Sequence, residues 1–185
     1  SIEHQARKHG VSIMLYLDNL EVETERDNLV KILERGMDGV LMIYIGGEHN
    51  LDCLEKIQSA GIPLVLFDRY IDELSLDSVV SDNHQGSHRA TLRFLDAGFP
   101  SVAYITAPID STVLRDRCQG YSDAMRERGL TPDVRELRQD LWEGSDRLNY
   151  DRTRELVGQL SFPTAIFSAD ATRLAVISQI VEEMG

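Results

Sequence analysis

One recurring junction constrains the fold of this chain more than any other feature. A helical pattern ends in glycine, and an apolar run follows within a few residues. The junction appears as Glu34-Arg35-Gly36-Met37-Asp38-Gly39, Ser59-Ala60-Gly61-Ile62-Pro63 and Asp96-Ala97-Gly98-Phe99-Pro100, and without glycine as Leu160-Ser161-Phe162-Pro163. Glycine tolerates the left-handed conformation that closes a helix, and proline blocks its continuation. Repeated at this spacing, the junction builds βα units. The pattern predicts helices over 2–9, 22–35, 48–60, 83–97, 113–128, 147–160 and 171–184, with Asn83 capping the fourth. It predicts strands over 11–17, 39–45, 64–67, 78–81, 101–106 and 164–167, and a weaker one over 134–137. Leu29, Ile32, Leu33 and Met37 share one helix face, and Leu114, Cys118, Tyr121 and Met125 share another. Strands that read as continuous apolar runs between helices imply α/β architecture, with parallel sheet covered on both faces.

The totals narrow the function classes. The 185 residues suffice for one large domain or two small ones. With 19 Lys and Arg against 31 Asp and Glu, the net charge is −12, which disfavours direct contact with nucleic acid. The longest apolar stretch, 40–45, falls far short of the roughly 20 residues of a membrane span. The opening SIEHQARKHG is polar, unlike a signal peptide. Cys53 and Cys118 sit among apolar neighbours and read as reduced thiols. Together these features predict a cytoplasmic location.

Two strands release polar groups at their carboxyl ends, where open parallel sheets bind ligands. Leu64-Val65-Leu66-Phe67 runs into Asp68-Arg69, and Ser78-Val79-Val80-Ser81 runs into Asp82-Asn83. An Asp offers two acceptor oxygens and an Arg a rigid fork of donors, a set suited to a polyol or to a local ion pair. His84 and His88 are four apart on a helix, but without an HExxH glutamate or a cysteine cluster they read as a solvated face. Gly46-Gly47-Glu48 reads as a tight βα turn rather than a phosphate loop. There is no Gly-x-Ser-x-Gly elbow and no catalytic cysteine motif, so neither an enzyme nor a cofactor or metal is expected.

In order along the chain, ERGMDGVLM, AGIPLVLFDRY, DSVVSDNHQG, GFPSVAYITAP, RDRCQGYSDAM and PTAIFSAD resemble the effector-binding domain of lactose/galactose-repressor-type (LacI/GalR) transcription regulators. The resemblance implies two Rossmann-like parallel-sheet subdomains joined by a hinge, the type I periplasmic-binding-protein-like fold. They would cover 1–81 and 82–185. Such domains begin with a strand ahead of the first helix and end with further βα units, so the resemblance implies a native protein longer at both ends. It also implies a ligand set. Asp68 and Arg69 would bind hydroxyls on one side. Arg117, in an Arg-x-x-Gly-Tyr pattern with Gly120 and Tyr121, and Asp170 would bind on the other. Asp170-Ala171 stands where the family usually has Asn then Asp, which implies a more donor-rich or cationic ligand, or a degenerate site. Trp142 would either stack on a sugar ring or pack as an ordinary apolar side chain. Tyr16 would face the cleft from the end of its strand.

The function so implied is sensing of a sugar or sugar-like effector that closes a hinge between two lobes. The partners implied are a second copy in a homodimer and DNA, reached through a helix-turn-helix absent from this chain, with no membrane. A sensor domain of a signalling kinase or a transport-associated sugar-binding protein would use the same fold.

Overall fold

Among the described residues the strands are three to five residues long, and all of them pair in parallel. Val40–Met42, Leu64–Phe67, Val102–Thr106 and Ala165–Ser168 are largely apolar, whereas Asp77–Val79 and Asp133–Glu136 at the sheet edges are mostly polar. The computed structural model describes residues 1–137 and 146–184, with side chains except at 146–149. The chain divides into two units, Ser1–Val79 and Val80–Gly185.

The first unit contains α1 (Ile2–Lys8), α2 (Val22–Arg35), β1 (Val40–Met42), α3 (Leu51–Ser59), β2 (Leu64–Phe67) and β3 (Asp77–Val79). Its strands lie in the order β1-β2-β3. The expected glycine punctuation is present: Gly61, at φ 72°, closes the α3 end before β2. Leu29 and Ile32 of α2, Leu54 and Ile57 of α3, Tyr44 and Leu66 form the core, with Leu33 and Met37 packed against it.

The strand predicted over 11–17 does not form. Leu15 is 76% and Leu17 68% exposed. A strand exists only where a neighbour takes up its backbone hydrogen bonds. Among the described residues no strand pairs with this run.

The second unit contains α4 (Asn83–Asp96), β4 (Val102–Thr106), α5 (Thr112–Glu127), β5 (Asp133–Glu136), α6 (Asp146–Gly158), β6 (Ala165–Ser168) and α7 (Ala171–Met184). The order is β5-β4-β6, so β4 is bonded on both sides. Successive side chains of a strand face opposite ways, and β4 fills a separate core on each face. Val102 and Tyr104 join Tyr121, Met125 and Ala165. Ile105 joins Val157, Ile177 and Ile180 on the other side. Within the first of these cores Tyr104 stacks on Tyr121 at 5.0 Å and meets Phe167 edge-on at 5.4 Å.

The α4 cap is Asp82, not Asn83. The Asp82 carboxylate accepts from the Gln85 amide at 3.0 Å, which satisfies one of the helix's orphan donors. Asn83 becomes the first helical residue, and its side chain is available for another bond. Further along, α5 lies so close to α4 that a Cβ on Gly120 would fall 2.0 Å from the His84 carbonyl oxygen.

Candidate ligand site

The polar groups of each unit gather where its strands end. In the second unit the chain runs from β4 out to β5 and returns on the far side of β4 as β6. This reversal makes a switch point, and the carboxyl ends of strands at such points are where α/β sheets bind ligands. Arg117 stands there. Ser111 caps α5 by accepting from the Leu114 amide at 3.4 Å, which sets the phase of the helix. Arg117 then donates from Nε to Asn83 Oδ1 at 2.9 Å and from Nη1 to the Ala169 carbonyl at 2.7 Å. Ala169 directly follows β6.

Asp170 lies one residue from that carbonyl. Its Oδ1 accepts from the Arg173 amide at 2.9 Å, and its Oδ2 pairs with the Arg173 guanidinium. Arg173 is nearly buried, and burial pulls its guanidinium below the usual range, with Asp110 and Tyr104 opposing. The carboxylate singled out in the sequence is therefore engaged as a helix cap and a counter-ion. Beneath lie the hydroxyls of Tyr104 and Thr106, two apart on β4. Both are buried and reach no acceptor in good geometry among the described residues, although Thr106 is close enough to influence the Tyr104 hydroxyl. Burial pushes the Tyr104 phenol well above its ordinary value.

In the first unit Asp68 follows β2 in the left-handed region, at φ 72°. A non-glycine residue held there is strained, and such strain clusters at functional positions. Its amide donates to the Val79 carbonyl at 3.0 Å, which continues the β2–β3 ladder and holds the turn. The Asp68 side chain is 53% exposed, and Arg69 Nε stands 3.9 Å from its Oδ2. Arg69 Nε is buried without a hydrogen bond among the described residues.

Tyr16 meets the end of α2. Its hydroxyl accepts from Arg35 Nη1 at 3.2 Å, at the last residue of α2, and its ring packs on the first unit's core. Asp68 and Arg69 are thus brought together in one unit, and Arg117 and Asp170 in the other. Trp142 lies outside the described residues.

Two groups were not legible as site elements. Glu25 is buried and accepts from the Ile45 amide at 2.7 Å and from Asn50 Nδ2 at 2.9 Å. It clamps the turn after β1, where a Cβ on Gly46 would lie 2.5 Å from Glu25 Oε2. The signal was an acid four and seven residues before the apolar-face positions Leu29 and Ile32, that is, on the buried stripe of α2. The second group is the histidine pair. His84 and His88 do not simply face solvent: their Nε2 atoms lie 2.9 Å from Asp123 and Glu127 across the α4–α5 seam. The His84 bond, aided by Gln119, holds the Asp123 carboxyl below the usual range. Among the described residues, no three His, Cys, Asp or Glu side chains converge as metal ligands. No described helix is long and apolar enough to cross a membrane, and Cys53 and Cys118 are free thiols.

The architecture has close counterparts. The LacI transcriptional regulator of Lactobacillus brevis superposes with a TM-score of 0.82 at 23% identity, covering 100% of this chain and 68% of that one. The Cra transcriptional dual regulator of Pseudomonas putida, solved with fructose 1-phosphate, gives 0.81 at 21% identity, covering 98% of this chain and 66% of that one. In sequence, the HTH-type transcriptional repressor PurR of Pasteurella multocida is 25% identical over 185 residues, covering 99% of this chain and 54% of its own length. The chain therefore spans about half the length of the curated relatives it matches. The family described as periplasmic binding proteins and sugar binding domain of LacI family matches residues 1–183. With two parallel-sheet units and a match along nearly its whole length, this chain belongs to that family.

Proposed function

We propose that this chain is the effector-sensing part of a transcriptional regulator and that it binds a small sugar-like metabolite. The observation that carries this reading is the family match over residues 1–183, together with a repressor relative aligned along 99% of the chain. The polar groups fit the role. Asp68 and Arg69 in one unit and Arg117 in the other stand at carboxyl ends of parallel strands, with donors and acceptors suited to hydroxyl and anionic oxygens. Binding acts by favouring one conformational state over another. A homodimer, a cytoplasmic location and DNA contact through a separate reading head complete the proposal. The net charge of −12 assigns no DNA contact to this chain itself. The reading assigns no catalysis and no cofactor.

The test is a thermal-shift screen of the full-length protein against sugars, sugar phosphates, nucleosides and amino acids. A ligand at 100 times its dissociation constant stabilises by about 2.7 kcal/mol. A sugar-class hit whose shift disappears in Asp68→Ala and Arg117→Ala supports the reading. A hit indifferent to both changes places the site elsewhere, and a panel without any hit counts against small-molecule sensing.

A further inference from the structure

Resting on the sensing role above, we propose that Asn83 is a positioning residue that presents Arg117 to the ligand as a fixed and uncancelled cation. Because Asp82 caps α4, the Asn83 side chain is released for this task. Its amide has one orientation that satisfies both ends. Nδ2 donates to the Ser81 carbonyl at 3.2 Å, and Oδ1 then faces Arg117 and accepts from Nε at 2.9 Å. The group is buried, so neither bond is replaced by water without cost.

The second anchor is the Ala169 carbonyl on Nη1. A guanidinium is planar, so bonds at Nε and Nη1 fix the plane. Nη2 makes no hydrogen bond to a described residue and is left for a ligand oxygen. Ordering this fork before binding lowers the cost of ligand capture.

Both anchors are neutral, which sets Arg117 apart from its neighbours. Arg173 is matched by Asp170, and Arg135 by Asp133. No carboxylate among the described residues pairs with Arg117. Asn83 thus holds the arginine in place without neutralising it, whereas an aspartate at the same position would keep the acceptor for Nε but lose the Nδ2 bond to the Ser81 carbonyl and cancel the charge. The spacing of the pair is set by the close seat of Gly120 on the His84 carbonyl, which fixes how α5 lies on α4. The resulting geometry selects an acceptor-rich ligand group, either a carboxylate or phosphate oxygen or a hydroxyl used as acceptor.

The experiment uses full-length protein labelled with 15N-arginine, with the Arg117 Nε–H signal assigned through Arg117→Lys. In the parent protein that proton should be protected from solvent exchange. Asn83→Ala should speed its exchange about tenfold or more, the expected loss of one charge-assisted bond. Asn83→Asp, which keeps the acceptor, should retain the protection. An Nε–H that is equally protected in Asn83→Ala, or unprotected in the parent, overturns the anchoring. Thermal melts of the variants separate loss of the bond from loss of the fold, and Asn83→Asp carries the test if Asn83→Ala does not fold.

The same samples are titrated with D-fructose 1-phosphate and D-fructose. A perturbed Arg117 signal, with binding weakened about tenfold in Asn83→Asp for the phosphate and less for the neutral sugar, supports the charge argument. Equal weakening for both sugars overturns it. Protection released by Asn83→Ala with neither sugar perturbing the signal would establish the anchor and count against sensing of these sugars, so the two readings fail separately.

Discussion

Two apolar runs of similar composition end in opposite states. Val102–Thr106 becomes β4, and each of its residues is buried. The run 11–17, Val-Ser-Ile-Met-Leu-Tyr-Leu, stays outside both sheets, and most of it is exposed. Intrinsic preference does not separate them, since both contain β-branched, aromatic and aliphatic residues. Neighbours do. β4 is bonded to β5 on one side and β6 on the other, with a filled core on each face. Among the described residues the run 11–17 has no ladder partner, and of its side chains only Tyr16 packs on the first unit's core. A strand is thus a property of its sheet, and an apolar run records only the ability to join one.

The largest expected effect sets matched truncations in the two runs against each other. Ile105→Ala removes a fully buried side chain from the core shared with Val157, Ile177 and Ile180, and should cost about 2–5 kcal/mol. Leu15→Ala, at a position 76% exposed, should stay within about 0.5 kcal/mol. Urea unfolding of the 185-residue chain measures both. A costly Leu15→Ala would break the comparison, because it would mean that the run is buried. Repeating the pair in a longer version of the protein sharpens it: a cost that appears only there would show that the run has gained a neighbouring strand.

The next contrast lies within the second unit, between two helical glycines. Gly120→Ala places a Cβ 2.0 Å from the His84 carbonyl oxygen, which is backbone and cannot swing aside. The helices must separate, at a cost of about 1–3 kcal/mol. Gly86→Ala meets nothing within 4 Å and should stabilise by about 0.4–1 kcal/mol by restricting the unfolded chain. Amide exchange along α4 and α5 reports where the damage falls. Equal effects of the two substitutions would deny the close seat of α5 on α4.

These contrasts show what the sequence made legible. The extents of α2, β2 and α7 were readable to the residue, because each has a clear period and clear stops. The glycine junctions and the order of βα units were readable for the same reason, as were the buried faces of α2 and α5. The run 11–17 misled, because pairing is non-local. The α4 cap was displaced by one residue, because Asp82 and Asn83 are both competent caps and only geometry decides between them. Among candidate site residues, Arg117 was readable from its motif, but its anchors Asn83 and Ala169 lie 34 and 52 residues away. Asp170 was readable as a polar group at a strand end. Its pairing with Arg173 was hidden, because an i,i+3 acid–arginine pair on a helix usually reads as surface charge.

The smallest effect compares how the two units fasten the backbone beyond a strand end. The first uses a buried carboxylate, Glu25, which receives the Ile45 amide; the second uses the Arg117 guanidinium, which donates to the Ala169 carbonyl. Only the carboxylate titrates in a convenient range, since guanidinium groups stay protonated in proteins. Burial raises Glu25 above its ordinary 4.5, against the hydrogen bonds from Asn50 and Ile45 and with a further push from Asp18. A carboxyl raised in the folded state keeps its proton after the unfolded chain has released it. Its contribution to stability is therefore full below the unfolded value and is lost as pH rises through the folded one. Glu25→Gln cannot ionise, so the stability of the parent relative to this variant should decline from about pH 4.5 upward and then level off. Urea titrations of both proteins between pH 4 and 8 measure the difference. A flat difference would show that the hydrogen bonds offset burial in full, and a rising one would reverse the sign and make Glu25 a carboxylate stabilised by its clamp.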